Sequence, residues 1–295
     1  MLACKVRSSK PASTCSRRRG KRWFVSSVDG AEREGRTVEI TDFAIDYFSL
    51  TGRNAIVTGG NTGLGQAFAL ALAKGGANVF VPSIIDDDGS THRMIEAEGV
   101  GYELMLADIT ETGAPKRIVE ACAERFGSVD ILVNNAGVSP LSEVLDFDRE
   151  KWDPAVAVNL TAAFEMSYEV AQRMVPQRSG KIINICSMFS FLGGRRSPAY
   201  AATKHGIAGL TKAYCDELAI HNIQVNGIAP GYYATAITEH TRDNPDADRR
   251  VLEHIPADRW GEPGDLMGTV VFLASRASNY VNGQIVAVDG GYLVR

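Results

Sequence analysis

Tyr200 and Lys204, in the stretch YAATK, set a phenol and an ammonium four residues apart. In a helix that spacing stacks the two side chains on one face. A phenol beside a positive charge can take and return a proton while an alcohol is oxidised, provided a cofactor takes the hydride. An isolated phenol, with a pKa of about 10, is mostly protonated near neutrality. A nearby ammonium and an oxidised nicotinamide favour the phenolate. Ser187 closes the apolar run KIINICS, a strand end where a substrate oxygen would meet both hydroxyls. Tyr and Lys at this spacing also occur by chance on many helices, so the pair gains meaning only from what precedes it.

What precedes it is a glycine-rich loop, TGGNTGLG, at the end of the first apolar run. It comprises Thr58, Gly59, Asn61, Thr62, Gly63, Leu64 and Gly65, and an amphipathic segment, QAFALALAKGG, follows. Glycines here let the chain turn tightly and let backbone N–H groups approach a pyrophosphate at a helix N-terminus. The second run, NVFVPS, ends in Ser83, with Asp86, Asp87 and Asp88 just beyond. A residue at that strand end reads the adenosine ribose in doubly wound folds. No Arg or Lys stands in the loop or at this strand end to meet a 2′-phosphate, which favours NAD over NADP. Asp87 and Asp88 read as a solvated turn and helix cap. Asp108, in LMLADIT, either caps the next helix or faces the adenine edge.

The elements that must position these groups are seven short apolar runs alternating with helical segments. The runs are NAIVTG, NVFVPS, YELMLAD, DILVNNAG, KIINICS, IQVNGIAP and QIVAVDGG. Continuous apolar runs are expected of parallel strands covered on both faces. The alternation predicts an α/β fold, a doubly wound Rossmann-type parallel sheet flanked by helices in a single domain. No Pro/Gly/Ser-rich linker interrupts the run from about Phe48 to Arg295, and the domain is read as residues 46–295.

With 45% hydrophobic and 22% charged residues in 295, the chain can bury a sizeable core. Its formal net charge of −4 argues against a nucleic-acid partner. No apolar run is long enough to span a bilayer. Five cysteines without C-x-x-C spacing suggest neither a disulfide framework nor a metal site, so a reducing, cytoplasmic setting is the default. Cys186, beside Ser187, reads as a buried structural thiol. Residues 1–45 differ from the rest: Arg- and Ser-rich, with no hydrophobic periodicity and no apolar segment of the secretory kind. A transit peptide and a stretch upstream of the true start codon both fit the composition, and the segment reads as a disordered, dispensable extension rather than a nucleic-acid tail.

Taken in order, TGGNTGLG, NNAG (Asn134 to Gly137), Asn159, Ser187, Tyr200 with Lys204, and APG (Ala229 to Gly231) resemble the short-chain dehydrogenase/reductase family. The resemblance covers roughly residues 46 to 295. It implies Tyr200 as general acid/base, Ser187 as the group orienting the substrate oxygen, and Lys204 as the holder of the nicotinamide ribose. It implies that Asn159 supports a water-linked proton relay to Lys204. The glycine loop, Asp108 with Ile109, Asn134 with Ala136 and Gly137, and Pro230, Gly231, Tyr232 and Thr235 would line the cofactor groove. A cytoplasmic homotetramer is also implied.

Within the family, APGYYAT, IPADRWGEPGDLMGTVVFLAS and YVNGQIVAVDGGYLVR are similar to segments of sugar-acid dehydrogenases. The expected substrate is therefore a sugar acid of the 3-deoxy-2-ketogluconate type. Another polar ketone or polyol is the alternative within the class, and a catalytically silent dinucleotide sensor is the alternative outside it. Those dehydrogenases commonly carry two arginines after NNAG, where this chain has Pro140 and Leu141. Arg196, on the segment between Ser187 and Tyr200, becomes the candidate carboxylate partner, with Tyr232 opposite. Arg195 is a further candidate, and Arg259 reads as a surface or interface ion pair.

Overall fold

The computed structural model describes residues 40–295, and the body of the fold is Ala44–Arg295. The expected extension lies, up to residue 39, outside the described residues. Seven parallel strands form one sheet: β1 (Asn54–Val57), β2 (Asn78–Ser83), β3 (Tyr102–Leu106), β4 (Ile131–Asn134), β5 (Gly180–Ile185), β6 (Ile223–Pro230) and β7 (Ile285–Val288). The alternating pattern predicts such a parallel sheet, and its strand order is β3-β2-β1-β4-β5-β6-β7. The order reverses between β1 and β4, where open parallel sheets leave a crevice beyond the carboxyl ends of their strands.

The period of two along each strand divides the core. Ala55 and Val57 of β1, Ile131 and Val133 of β4, and Ile183 and Ile185 of β5 face one side. They pack there against Phe68 and Leu72 of α1 (Gly63–Lys74). Val270 and Leu273, from a second helix at Met267–Ala274, complete that layer. Ile56, Leu132 and Ile182 face the other side. Ile118 and Val119 of the helix Ala114–Phe126, and Met166, Val170 and Met174 of the helix Ala162–Gln177, cover them. Each such buried side chain contributes about 1.5–3 kcal/mol, so both layers hold the strands firmly. Among the described residues, no helix is long and apolar enough to cross a membrane.

Two local features set up the site. The helix Arg149–Val156 runs into Ala162–Gln177 through a wide π turn, Ala157–Thr161, with Pro154 just upstream. Pro lacks the amide that would continue the α pattern, and π turns concentrate at functional positions. The second feature is α2, the 21-residue helix Pro198–Leu218, which carries Tyr200 and Lys204 in its first two turns. Pro198 at its start has a fixed φ already suited to a first helical turn.

Candidate active site

The glycine loop is held by β4. Thr58 is buried, and its Oγ1 accepts from the N–H groups of Asn135 and Ala136, at 3.0 Å each. The Asn135 amide donates to the carbonyls of Thr58 (2.9 Å) and Gly59 (3.3 Å). Gly65 must be glycine, because a Cβ there would lie 2.2 Å from the Gly59 oxygen and 2.5 Å from Asn135 Nδ2. Gly63 has a φ of +52° with open space around it. No side chain caps the α1 N-terminus, and no acid lies in its first turn. Its leading N–H groups therefore face outward as an anion-accepting end. Asn61 is buried, its Nδ2 donates to the Ile85 carbonyl at 2.9 Å, and its Oδ1 has no partner among the described residues.

At the end of β2, the buried Ser83 hydroxyl accepts from Ile85 N–H, and Ile84 and Ile85 are exposed. Asp87 takes the N–H groups of Thr91 and His92, and Asp88 that of Ser90, which makes them the helix caps read from sequence. Asp108 accepts from Thr110 N–H and Oγ1 at 2.8 and 2.7 Å, bonds that hold its carboxyl below the usual range. It closes a turn and remains exposed, while Ile109 is buried in the core.

Asn134 corrects an expectation. Its amide turns away from the groove and donates to Ser167 Oγ (3.0 Å), Asn184 Oδ1 (2.8 Å) and the Ala163 carbonyl (3.3 Å) inside the core. The cause is the strand period: Asn134 lies two residues beyond Leu132, on the face that the helix Ala162–Gln177 covers. The side chain that grips the loop is Asn135. The doubled Asn of NNAG carried that signal, and sequence reasoning chose the wrong member.

Ser187 follows β5 and is almost fully buried; its Oγ accepts from Phe189 N–H at 3.2 Å. Ser190 accepts from Ser187 N–H at 3.2 Å and donates to the Lys204 carbonyl at 2.7 Å. One hydroxyl thus ties the Ser187 turn to α2. Lys204 is buried, donates to the Ile185 carbonyl, and its Nζ lies 5.4 Å from the centroid of the Tyr200 ring. Phe189 meets that ring edge-on at 6.0 Å. Cys186, also buried, has its thiol pushed up to about 11 by burial, with the Lys204 charge opposing the shift. It is the structural thiol expected.

Asn159 sits in the π turn, buried. Its Oδ1 accepts from Val138 N–H (2.8 Å), and its Nδ2 donates to the Val138 carbonyl (2.9 Å) and Thr203 Oγ1 (3.2 Å). Thr203 in turn donates to the Tyr200 carbonyl at 2.9 Å. Both amide protons are engaged, so this side chain clamps the NNAG loop to the Tyr200 turn. Gly137 completes the clamp, its absent Cβ leaving room 3.3 Å from Asn159 Oδ1. Ser190 and Thr203 were missed from sequence. The Ser-x-x-Ser spacing of a capping box was the available signal for Ser190.

On the far side, Gly231 follows Pro230 at the end of β6 and packs so closely on Asp289 that a Cβ would lie 2.7 Å from its Cα. Tyr232 is wedged between Trp260 (5.5 Å) and Tyr292 (5.4 Å), and burial pushes its phenol up to about 12. Trp260 is anchored on Asp248 at 2.7 Å. Thr235 starts a short turn and receives Arg242 Nη2 on its carbonyl at 3.1 Å. Arg242 Nε is buried without a partner among the described residues, and no sequence signal singled it out. Arg196 lies on the segment between the two hydroxyls as expected, with a φ of +64°, but its guanidinium already pairs with Glu143 at 3.1 Å. Arg259 forks onto Asp265 (2.7 and 3.0 Å), the surface pair expected.

Comparison with known proteins agrees with this geometry. Residues 59–293 match the family model described as enoyl-(acyl carrier protein) reductase, of the short-chain type. The uncharacterized oxidoreductase YgcW of Escherichia coli is 67% identical, over 86% of this chain and 97% of its own. A 2-dehydro-3-deoxy-D-gluconate 5-dehydrogenase of Bacillus subtilis is 46% identical, over 85% of this chain and 98% of its own. A crystal structure of a gluconate 5-dehydrogenase from Burkholderia cenocepacia, in complex with NADP and tartrate, superposes with a TM-score of 0.80. It is 36% identical, over 86% of this chain and all of its own. The protein is an oxidoreductase acting on CH–OH groups, and the chain belongs to the short-chain dehydrogenase/reductase family.

Proposed function

We propose that the protein is an NAD-dependent 2-dehydro-3-deoxy-D-gluconate 5-dehydrogenase, oxidising the C5 hydroxyl of this sugar acid to a ketone. The observation that carries the chemistry is the buried Lys204 ammonium beside the Tyr200 ring, tied through Ser190 to the Ser187 turn. The sugar-acid assignment draws on relatives bearing that name at 43–46% identity.

The residues present fit a dinucleotide. The uncapped α1 N-terminus and the close Gly59–Gly65 approach suit a pyrophosphate. The orphan Asn61 Oδ1 suits a ribose hydroxyl, which can donate to it. The three acids after Ser83 would repel a 2′-phosphate, which supports NAD as the preferred form. When bound, the cofactor supplies the hydride acceptor. Ser187 orients the substrate oxygen, Tyr200 takes its proton, and Lys204 holds the nicotinamide ribose. Asn159 keeps the NNAG loop and the Tyr200 turn in register.

A substrate carboxylate needs a cation, and a guanidinium offers a planar fork suited to it. Arg196 fills that role by exchanging Glu143 for the substrate, with Tyr232 across the pocket. Copies of the chain meet in a cytoplasmic homotetramer. The apolar face of Leu160, Phe164, Gly206, Gly209, Leu210 and Ala213, with Phe164 46% exposed, supports such a contact.

The test is cofactor reduction with a panel of sugar acids and their uncharged polyol analogues, using NAD and NADP. Expected is turnover on the sugar acid, with higher kcat/KM for NAD. Arg196→Met should raise KM for the acid about ten- to a hundredfold, as loss of a charge-assisted hydrogen bond implies, and spare the polyol. A parent enzyme that prefers the polyol, or that works equally well with NADP, contradicts the assignment. Equal effects of the mutation on acid and polyol remove Arg196 as the carboxylate partner.

A further inference from the structure

At the amino ends of β1, β4, β5 and β6, opposite the catalytic groups, lies a cavity of about 360 Å³. Arg53, Lys181, Arg276, Asp46 and Asp130 bring charge to its walls. The acids are spent elsewhere. Asp130 pairs with Arg53 at 3.2 Å and accepts from Asn54 N–H (3.0 Å) and Ser128 Oγ (2.7 Å). Asp46 pairs with Arg276 at 3.4 Å. Lys181 is left over. It is 8% exposed, and its ammonium donates to Ser278 Oγ (3.1 Å) and Asn279 Oδ1 (2.9 Å), both neutral. Among the described residues no carboxylate pairs with it, and one of its three N–H groups is unspent.

A buried charge without a counter-charge is costly, and a group in that state is stabilised by any anion that reaches it. We propose that this cavity binds a small oxyanion, a carboxylate or phosphate group carried on a polar body, with Lys181 as its central contact. The net excess of one cation, the neutral hydroxyls and amides lining the walls, and the room for a metabolite-sized molecule all fit that chemistry. Burial, reinforced by the Arg53 charge, also holds the Lys181 ammonium down to about 7. An entering anion restores its proton, with Arg53, Asp130, Asp46 and Arg276 as the other charges facing the cavity. Binding is therefore coupled to proton uptake and weakens as pH rises.

Calorimetric titration of inorganic phosphate, and separately of malonate, into the full-length protein at constant ionic strength tests this. NAD is kept present to cover the glycine loop. Expected is one saturable site with proton uptake near pH 8, and affinity weakened at least about tenfold by Lys181→Met and severalfold by Arg53→Gln. Phosphate alone binding identifies a phosphate group, and malonate alone a carboxylate. Lys181→Met removes a charge that burial penalises, so it should fold, and turnover should match the parent in both variants. No saturable binding of either anion, or equal binding in parent and variants, overturns the proposal.

Discussion

The two ends of the same strands differ in how their charges are arranged. At the carboxyl ends of β1, β4 and β5, buried polar groups are joined in continuous chains: Thr58 to Asn135, Asn159 to Thr203 to Tyr200, Ser187 to Ser190 to Lys204. At the amino ends, acids and arginines pair off and one buried ammonium is left with neutral partners. The difference separates a site in which each group has its geometry fixed by another from a cavity whose buried ammonium has only neutral partners. Electrostatic work of the first kind costs no reorganisation when the reaction occurs.

Removing the phenolic hydroxyl should expose that contrast most sharply. Tyr200→Phe keeps the ring and its edge contact with Phe189, so NAD affinity should persist while kcat falls by about 10²–10⁴, the usual worth of general acid–base catalysis. Measured turnover within about threefold of the parent removes Tyr200 from the role.

The next effect lies at the other end. Below about pH 7, folded and unfolded chains both carry the Lys181 proton. Between about 7 and the ordinary value of 10.5, only the unfolded chain does. Unfolding then takes up a proton, so this group makes stability rise with pH across that window, at a slope approaching about 1.4 kcal/mol per pH unit. Urea titrations at several pH values should show parent stability climbing relative to Lys181→Met between about pH 7 and pH 10. A constant difference between the two proteins means that the ammonium is not perturbed by its burial.

Asn159→Ala strips the clamp while leaving every reacting group in place. Val138 is exposed, so water can take over its N–H and carbonyl, and the cost is about 0.5–1.5 kcal/mol, the usual net worth of a hydrogen bond. Thermal unfolding should report that loss, and turnover should fall with little change in NAD affinity. Unchanged stability would mean that the NNAG loop is held by other contacts. Smallest of all is Glu143→Gln, which releases Arg196 from an exposed pair and should alter stability by less than about 1 kcal/mol. Its signature is a lower KM for the sugar acid, and a raised KM makes Glu143 a substrate contact instead.

How much was legible in advance follows the same division. All seven strands were readable because parallel strands covered on both faces must be apolar throughout, whereas their order appears only in the fold. The close approach of Gly65 to Gly59 and the placing of Tyr200 and Lys204 together on one helix were readable because tight backbone contact demands glycine and an i, i+4 spacing stacks two side chains. Asn134 was expected to line the cofactor groove because the doubled Asn does not itself say which member faces the core; its bonds to Ala163 and Ser167, 29 and 33 residues further along, appear only in the fold. Lys181 was invisible because its partners, Ser278 and Asn279, lie 97 and 98 residues further along the chain. The Arg196–Glu143 pair escaped for a related reason, since it joins two loops that meet only in the fold.

The central claim is that the groups gathered at the carboxyl end of the sheet move one hydride from a secondary alcohol carbon and one proton to Tyr200. The most direct measurement uses 2-dehydro-3-deoxy-D-gluconate carrying deuterium at C5, incubated with NAD and the parent enzyme. Mass spectrometry of the products should find the label quantitatively in the reduced nicotinamide and a ketone at C5, with neither forming at an appreciable rate in Tyr200→Phe. Label retained in the sugar, or released to water while the cofactor stays oxidised, contradicts the account.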